Sequence, residues 1–298
     1  MKLSIAISPC PNDTFIFGAL ALDLINFNDE STFANESMIE PEFTYLDIEE
    51  LNRHALSKTN DITKFNVTKY DVTKLSFAAW LHVRNEYELL SCGAALGKNC
   101  GPLIVAKNDT VISSGRKNLT VALPGEHTTA TLLFRLNEIY KLKADKTYKD
   151  LSITEVHSRY DEIMNLVLEE KADLGVIIHE SRFLAKDLGL TIICDLGQWW
   201  QDKTGLPIPL GCLAARKTLS PNTIKNIEKI INKSISFARK NKTSIMGYIK
   251  KHAIETDETI INKHIDTFVN DQSICLDDEG EMAVKMLEKL AIEAGLIG

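Results

Sequence analysis

The sequence predicts an α/β protein built on parallel sheets, and two observations carry this prediction. Short apolar segments rich in β-branched residues alternate with helical patterns up to residue 216, and helical patterns alone follow it. Alternation of strands and helices is typical of parallel sheets, because each helix returns the chain to the same end of the sheet. With 298 residues the chain can form one large domain or two modest ones.

The strands and helices follow from local patterns taken in chain order. Apolar segments bounded by turn-forming residues predict strands over residues 2–8, 42–46, 71–75, 102–107, 119–123, 152–156, 174–178, 191–194 and 212–216. Amphipathic or capped segments predict helices over residues 14–25, 47–56, 76–82, 126–140 and 159–171, and from Pro221 onward. Asn12 or Asp13 is expected to cap the first helix, and Ser220 the helix that begins at Pro221.

Composition excludes several classes of protein. A formal net charge of −7 argues against nucleic acid as the main partner. No window approaches the roughly 18 apolar residues that a membrane span requires, and the short apolar N-terminus does not resemble a signal peptide. The six cysteines are scattered and form no CxxC pair, which favours reduced thiols in the cytoplasm.

The segment that ends at His179 is the first candidate site. Residues 174–178 form a short, β-branched apolar run and are predicted to be a buried strand. In open α/β sheets, ligands bind just past the carboxyl ends of strands, and His is the side chain that titrates near neutral pH. The alternative interpretation is a histidine that caps the strand and bonds to backbone; the segment alone leaves both open.

The paired hydroxyls Thr128 and Thr129 are the second candidate site. They stand at the start of a predicted helix, after the turn Pro124-Gly125. Helix N-termini present unpaired backbone N–H groups and a partial positive charge, so the position suits a carboxylate or a phosphate. Ordinary capping, in which each Thr bonds to nearby backbone, explains the same pattern and stays open.

Other reactive side chains carry weaker signals. Ser76 starts a predicted helix but lacks the Gly-x-Ser-x-Gly surroundings of a hydrolase nucleophile. Cys10 lies between two prolines, where a packed small residue is the simpler interpretation than a nucleophilic thiol. The pair His179-Glu180 lacks the second histidine of a zinc-protease motif, so no metal site is expected.

Five segments together carry a resemblance to a known family. They are Ser8-Pro-Cys-Pro-Asn-Asp-Thr-Phe-Ile-Phe17, Thr73-Lys-Leu-Ser76, Gly125-Glu-His-Thr-Thr-Ala130, Gly175-Val-Ile-Ile-His-Glu-Ser-Arg-Phe183 and Gly205-Leu-Pro-Ile-Pro-Leu-Gly211. In this order, and over most of the chain, they resemble the 1,4-dihydroxy-6-naphthoate synthase family of the futalosine route to menaquinone. The polar stretches 28–40 and 59–71 look like insertions against the usual pattern of that family.

The resemblance implies a two-lobed fold like that of type II periplasmic binding proteins, with a ligand cleft between the lobes. One lobe is expected to combine residues 1–102 with residues 208–298, and the other to be the inserted segment 103–207. The family uses this fold as a cytoplasmic enzyme. The resemblance leaves the oligomeric state open.

The resemblance also implies a reaction and its residues. The expected substrate is cyclic dehypoxanthine futalosine, a small carboxylated molecule that a carbon–carbon lyase splits into 1,4-dihydroxy-6-naphthoate and a three-carbon sugar fragment. The position of the family's catalytic base falls on His179, and the reaction is expected to need no cofactor and no metal. The family's substrate-binding positions fall on Lys74, Leu75, Ser76, Thr128 and Thr129, and Asn12 is a further candidate for substrate binding. Two alternatives stay open: a non-catalytic small-anion binding protein of a transport system, and the related enzyme that dehydrates chorismate.

Overall fold

The chain divides into two units, each with its own β-sheet. The computed structural model describes residues 1–28, 38–57, 69–98, 100–108, 118–144 and 151–297. Unit 1 comprises residues 1–96 and 211–278, and unit 2 comprises residues 97–210 and 279–298. Most of the two polar stretches interpreted as insertions, residues 29–37 and 58–68, lies outside the described residues.

The described residues form strands and helices in alternation up to Arg216 and helices after it. The strands are β1 (Lys2–Ile7), β2 (Glu40–Tyr45), β3 (Val72–Ser76), β4 (Tyr87–Leu89), β5 (Ala95–Gly97), β6 (Leu103–Ala106), β7 (Asn118–Leu123), β8 (Ser152–His157), β9 (Leu174–Ile177), β10 (Thr191–Asp195) and β11 (Ile208–Arg216). The helices are α1 (Pro11–Ala21), α2 (Ile48–Leu56), α3 (Phe77–Val83), α4 (Thr129–Ala144), α5 (Ile163–Leu168), α6 (Ser181–Leu184), α7 (Leu196–Thr204), α8 (Pro221–Lys240), α9 (Lys242–His252), α10 (Glu258–Phe268), α11 (Asp271–Ile274) and α12 (Asp278–Glu293).

Unit 1 is organised around a mixed sheet in the order β2-β1-β3-β11-β4, with β5 paired to β11. Strand β1 runs parallel to both β2 and β3, whereas β11 runs antiparallel to β3. Helices α1, α8 and α9 bury apolar side chains against one face of this sheet, including Phe17, Ile231 and Ile245. The carboxyl ends of β1, β2 and β3 therefore lie at the same edge of the sheet.

Unit 2 has a five-stranded sheet in the order β10-β6-β9-β7-β8. Strand β9 is central, parallel to β7 and antiparallel to β6. Helix α5 packs closely on β9 at Gly175, where a Cβ atom would lie 2.7 Å from a methyl carbon of Ile163 and 2.8 Å from one of Val167. The fully buried position of β9 explains why its sequence is apolar at every residue.

Both sheets contain the expected parallel pairs, and each also contains antiparallel ones. Strands β6 and β11 pair antiparallel with their neighbours. Parallel pairing needs a crossover connection, usually a helix, from one strand to the next in the same sheet, and neither strand is connected in that way. The expected lobe boundaries 1–102, 103–207 and 208–298 stay a prediction. The units described above differ from them in grouping residues 279–298 with the inserted segment.

Several helix bounds differ from those expected. Helix α1 begins at Pro11, which suits a first helical position, so Asn12 and Asp13 lie in the first turn and do not cap it. Helix α4 begins at Thr129, three residues later than expected. Helix α5 covers only residues 163–168 of the expected 159–171, and Glu170 has a φ of 58°, outside the helical region.

Other local predictions are confirmed. Ser220 caps α8 by accepting a hydrogen bond from the Thr223 amide, with Pro221 in the first turn. The helix expected over residues 47–56 is α2, and at its start Asp47 forms a capping box with Glu50, which the sequence analysis did not predict. Within the described parts of the chain, no helix combines the length and the apolar character needed to cross a bilayer.

Candidate functional site

A buried ion pair lies at the carboxyl end of β3 in unit 1. The Lys74 ammonium is 2.8 Å from Oδ1 of Asp13, and the two side chains are 4% and 1% exposed. Lys74 also donates to the carbonyl oxygen of Gly93 at 3.2 Å. The other Asp13 oxygen accepts hydrogen bonds from the Ser8 hydroxyl at 2.7 Å and the Ser8 amide at 3.3 Å. Ser8, in the loop between β1 and α1, thus holds the Asp13 carboxylate in place, and this carboxylate in turn holds the Lys74 ammonium.

Two glycines contact the Lys74 side chain. Gly211 on β11 pairs with Ser76, and a Cβ atom there would lie 3.2 Å from Cε of Lys74. Gly93, whose carbonyl accepts from Lys74, has a φ of 74°, a conformation that side-chain-bearing residues rarely adopt. Next to Gly211, burial raises the pKa of the Cys212 thiol to about 12, so this neighbour of Lys74 is uncharged.

Ser76 is held by a reciprocal pair of hydrogen bonds with Asn52 of α2. The Asn52 amide nitrogen donates to the Ser76 hydroxyl at 3.0 Å, and the Ser76 amide donates to the Asn52 carbonyl oxygen at 2.9 Å. Asn52 is fully buried. Because Ser76 accepts through its oxygen, its own hydroxyl hydrogen points away from Asn52.

The three family-implied positions on β3 are not equivalent. Side chains alternate across a strand, so Lys74 and Ser76 share one face and Leu75 points to the other. The Leu75 side chain is fully buried, and its backbone pairs with Cys212 of β11. The structure therefore brings Lys74 and Ser76 together as polar donors and places Leu75 in the sheet.

Asn12 lies near a buried histidine of α10. Its side-chain oxygen is 3.4 Å from Nε2 of His264, and the Cys10 sulfur is 3.2 Å from the same nitrogen. All three residues are buried. Sequence analysis did not single out His264, because it follows Asn12 by 252 positions and stands in an ordinary amphipathic helix.

His179 lies just after the central strand of unit 2, separated from it by Ile178, and has a φ of 56°. Its imidazole is half-buried and meets the ring of Tyr160 edge-on, with 4.9 Å between the ring centroids and 72° between the planes. Positive φ values are uncommon outside glycine, and such residues cluster at functional sites. The turn after β9 thus directs the imidazole away from the strand's own path.

Tyr160 is a residue that sequence analysis missed. Its hydroxyl donates to the Glu180 carboxylate at 3.4 Å, and both side chains are buried. Tyr160 follows β8 and Glu180 follows His179, so one hydrogen bond ties together the turns after two strands. The ring of Tyr160 is thereby fixed against the imidazole of His179.

The hydroxyls of Thr128 and Thr129 bond within the protein. Thr128 caps α4, since its hydroxyl oxygen accepts from the Thr131 amide at 3.2 Å. Thr129 donates its hydroxyl hydrogen to the carbonyl oxygen of Leu210 at 2.7 Å. Thr131 donates to the carbonyl oxygen of Gly125 at 2.6 Å. The capping interpretation is therefore confirmed for Thr128, and the groups at this helix start that suit an anion are backbone amides.

Comparison with solved structures identifies the class of protein. The chain is similar to a periplasmic aliphatic sulphonate binding protein from Escherichia coli, with a TM-score of 0.62, 13% identity, and coverage of 99% of this chain and 88% of that one. It is also similar to a protein from Archaeoglobus fulgidus, with a TM-score of 0.82, 30% identity, and coverage of 99% and 98%. The fold is thus that of the periplasmic binding proteins, as the sequence resemblance implied.

Comparison with known sequences narrows the class to one family. The family described as menaquinone biosynthesis matches residues 3–293. A 1,4-dihydroxy-6-naphthoate synthase from Thermus thermophilus is 37% identical over 294 residues, which cover 99% of this chain and 95% of the relative. The chain belongs to the menaquinone biosynthesis family, and the resemblance drawn from the five motifs is confirmed.

Proposed function

We propose that this protein is a 1,4-dihydroxy-6-naphthoate synthase that acts on cyclic dehypoxanthine futalosine. The products are 1,4-dihydroxy-6-naphthoate and a three-carbon sugar fragment. Family membership and the nearly full-length similarity to the Thermus thermophilus enzyme support this assignment. All six cysteines are free thiols, which agrees with a reducing cytoplasm as the working compartment.

His179 acts as the general base of the reaction. The observation that carries this role is its place just past the central strand of unit 2, with a backbone conformation that few side-chain-bearing residues adopt. A neutral imidazole can take a proton from carbon beside an electron-withdrawing group. Tyr160, held by Glu180, fixes the orientation of the ring for that transfer.

Proton removal starts a carbon–carbon cleavage in which the electron pair of the broken C–H bond moves into the ring system. The bond to the sugar remnant then breaks, and the remnant leaves with that bond's electrons and is protonated. Formation of the aromatic naphthoate ring drives the step. The chain's own contribution is to orient the substrate, exclude water and hold the abstracted proton on the His179 imidazole.

Substrate binding is assigned separately in the two units. In unit 1, Lys74 and Ser76 donate hydrogen bonds from one face of β3 to substrate oxygens, and Asn12 lies at the start of the neighbouring helix. Leu75 contributes through its place in the sheet. In unit 2, the backbone amides at Thr128 and Thr129 bind the carboxylate, because the two hydroxyls already bond to protein atoms.

A turnover assay tests the proposal. The purified protein is incubated with cyclic dehypoxanthine futalosine, and 1,4-dihydroxy-6-naphthoate is measured by mass spectrometry; we expect it to accumulate catalytically. Binding of the substrate without product, measured by calorimetry, would instead support a carrier. A parallel incubation with chorismate tests for the activity of the related dehydratase. Consumption of chorismate, together with no naphthoate from cyclic dehypoxanthine futalosine, would contradict the synthase assignment.

A further inference from the structure

The buried pair of Asp13 and Lys74 has no explanation in stability alone. Taking two charges out of water costs free energy that their attraction rarely exceeds, and an apolar pair of similar volume often stabilises a protein as well or better. Both side chains are nevertheless at least nine-tenths buried. A charged pair at the carboxyl end of a sheet strand is therefore better explained by what the ammonium does there.

We infer that Asp13 is a positioning residue, which keeps the Lys74 ammonium charged and aimed so that it donates a hydrogen bond to an oxygen of the substrate. The inference rests on the proposed function, and it assigns a role to a residue outside the substrate-binding positions that the family resemblance implied. Asp13 acts through Lys74 and needs no contact with the substrate.

The hydrogen-bond count at Lys74 supports the inference. An ammonium group has three N–H donors and no acceptor. Among the described residues, the Lys74 ammonium contacts two oxygens, the Asp13 carboxylate in an ion pair at 2.8 Å and the Gly93 carbonyl in a hydrogen bond of 3.2 Å. The third donor is left for a ligand oxygen. Ser76 lies on the same face of β3 and has a hydroxyl hydrogen directed away from Asn52, so two donors face the same side.

The surroundings make Asp13 the source of the charge balance. Among the described residues, the Cys212 thiol on β11 interacts electrostatically with Lys74, and the Tyr248 hydroxyl on α9 interacts with Asp13. Burial raises the pKa of both groups, so both are neutral near pH 7. Neither can replace the Asp13 carboxylate as a partner for the ammonium.

A pH-resolved kinetic comparison tests the inference. In Asp13→Asn the amide keeps the shape, but a buried ammonium without a counter-charge loses its proton more readily. We expect the KM of the variant to rise about tenfold or more between about pH 7 and about pH 9, with kcat little changed, because a charge-assisted hydrogen bond is lost from binding. The KM of the wild-type protein, which keeps the Asp13 carboxylate, is the reference at each pH.

Asp71→Asn is the matched control. Asp71 also accepts hydrogen bonds from a serine, through the Ser4 amide at 2.9 Å and the Ser4 hydroxyl at 2.8 Å, but no lysine of the described segments forms an ion pair with it. The control removes the same kind of bond from the same unit. It should leave the pH dependence of KM like that of the wild type, even if its melting temperature falls.

Each outcome decides between the alternatives. A KM of Asp13→Asn that follows the wild type at every pH, or an equal pH effect in Asp71→Asn, would overturn the inference while the synthase assignment stands. If Asp13→Asn does not fold, Asp13→Glu replaces it: the longer carboxylate should raise KM at all pH values, and an unchanged KM would count against the inference. A wild-type protein that forms no product overturns the proposed function and this inference together.

Discussion

The polar sites of the two units are built in opposite ways. In unit 1, Lys74 and Ser76 are supported by the buried side chains of Asp13 and Asn52. In unit 2, Thr128 and Thr129 are satisfied mainly by backbone groups, with Thr129 donating to the Leu210 carbonyl and Thr128 accepting from the Thr131 amide. Side chains thus support the first site, and backbone supports the second.

The difference determines which hydrogens are left for a ligand. Where a side-chain carboxylate or amide holds a donor group in place, that group keeps a hydrogen for a ligand, as Lys74 does with its third N–H. A carbonyl oxygen that accepts the one hydrogen of a hydroxyl consumes it, as at Thr129. Unit 1 is therefore expected to bind through side chains, and unit 2 through backbone amides and the His179 imidazole.

His179→Ala gives the largest expected effect and tests the role of unit 2. Removal of a general base lowers the rate by about 10²–10⁴-fold, so kcat should fall by that factor while binding of the naphthoate product, measured by calorimetry, persists. His157→Ala is the control, since His157 ends β8 in the same unit and is also partly exposed. Equal losses in the two variants, or parallel loss of binding and turnover in His179→Ala, would mean that His179 is structural.

Asn52→Leu tests the side-chain support in unit 1. It removes both bonds to Ser76 and leaves the buried Ser76 amide without that acceptor, so we expect the protein to lose about 1–3 kcal/mol of unfolding free energy. KM should rise as well, because Ser76 is no longer oriented. Chemical denaturation and initial-rate kinetics measure the two effects. Stability lost with KM unchanged would remove Ser76 from the binding site.

Thr129→Val tests the backbone support in unit 2. The isosteric valine leaves the Leu210 carbonyl without its donor, at an expected cost of about 1–3 kcal/mol in unfolding free energy. We expect KM to change little although the unfolding free energy falls, since the backbone amide at position 129 is kept. Thr129→Ser, which restores a hydroxyl, should recover most of the stability. A large rise in KM at unchanged stability would show that the hydroxyl itself binds the substrate.

The smallest expected effect concerns an ion pair of unit 2 that is partly exposed. Arg135 donates two hydrogen bonds to Glu155, and these bonds lower the pKa of the Glu155 carboxyl. Because the pKa of Glu155 is lower in the folded protein than in the unfolded chain, where it is about 4.3, the carboxylate stabilises the fold above that pH. This stabilisation is lost as the pH falls through the pKa of the folded state. Solvent screening limits the contribution to about 0.5 kcal/mol.

Glu155→Gln provides the measurement for this pair. The variant should lose less stability than the wild type between about pH 5 and about pH 3, as followed by urea denaturation. The buried pair of unit 1 provides the contrast, because Asp13→Asn is expected to change the pH dependence of KM. Identical acid sensitivity of Glu155→Gln and wild type would show that Arg135 contributes nothing through this carboxylate.

Local patterns predicted the fold well where the interactions are local. The strand that ends before His179, the cap at Ser220 and the helix α2 depend on neighbours in sequence, and each is present. The direction of β6 and β11 depends on pairing between distant segments, which alternation alone does not encode. The predicted α/β fold is confirmed, and the predicted parallel pairing holds for β1–β3 and β7–β9 but not for β6 and β11.

The supporting residues of the candidate site were beyond local patterns for the same reason. Asp13 looked like a helix cap, and its pairing with Lys74 appears only when β1 and β3 lie side by side. The two interpretations of Thr129 differ in where one hydroxyl hydrogen goes, and its acceptor is a carbonyl 81 positions away. Motif resemblance provides the proposed substrate-binding positions, whereas the contacts that support them are visible only in the folded chain.

The left-handed backbone of His179 implies a stability–activity trade-off. A residue with a Cβ atom in this conformation costs about 1–2 kcal/mol relative to glycine, which adopts it freely. A glycine at position 179 should therefore melt at a higher temperature than an alanine there, although both lack the imidazole. Thermal stability alone would therefore favour glycine at this position, whereas the proposed general base requires the imidazole.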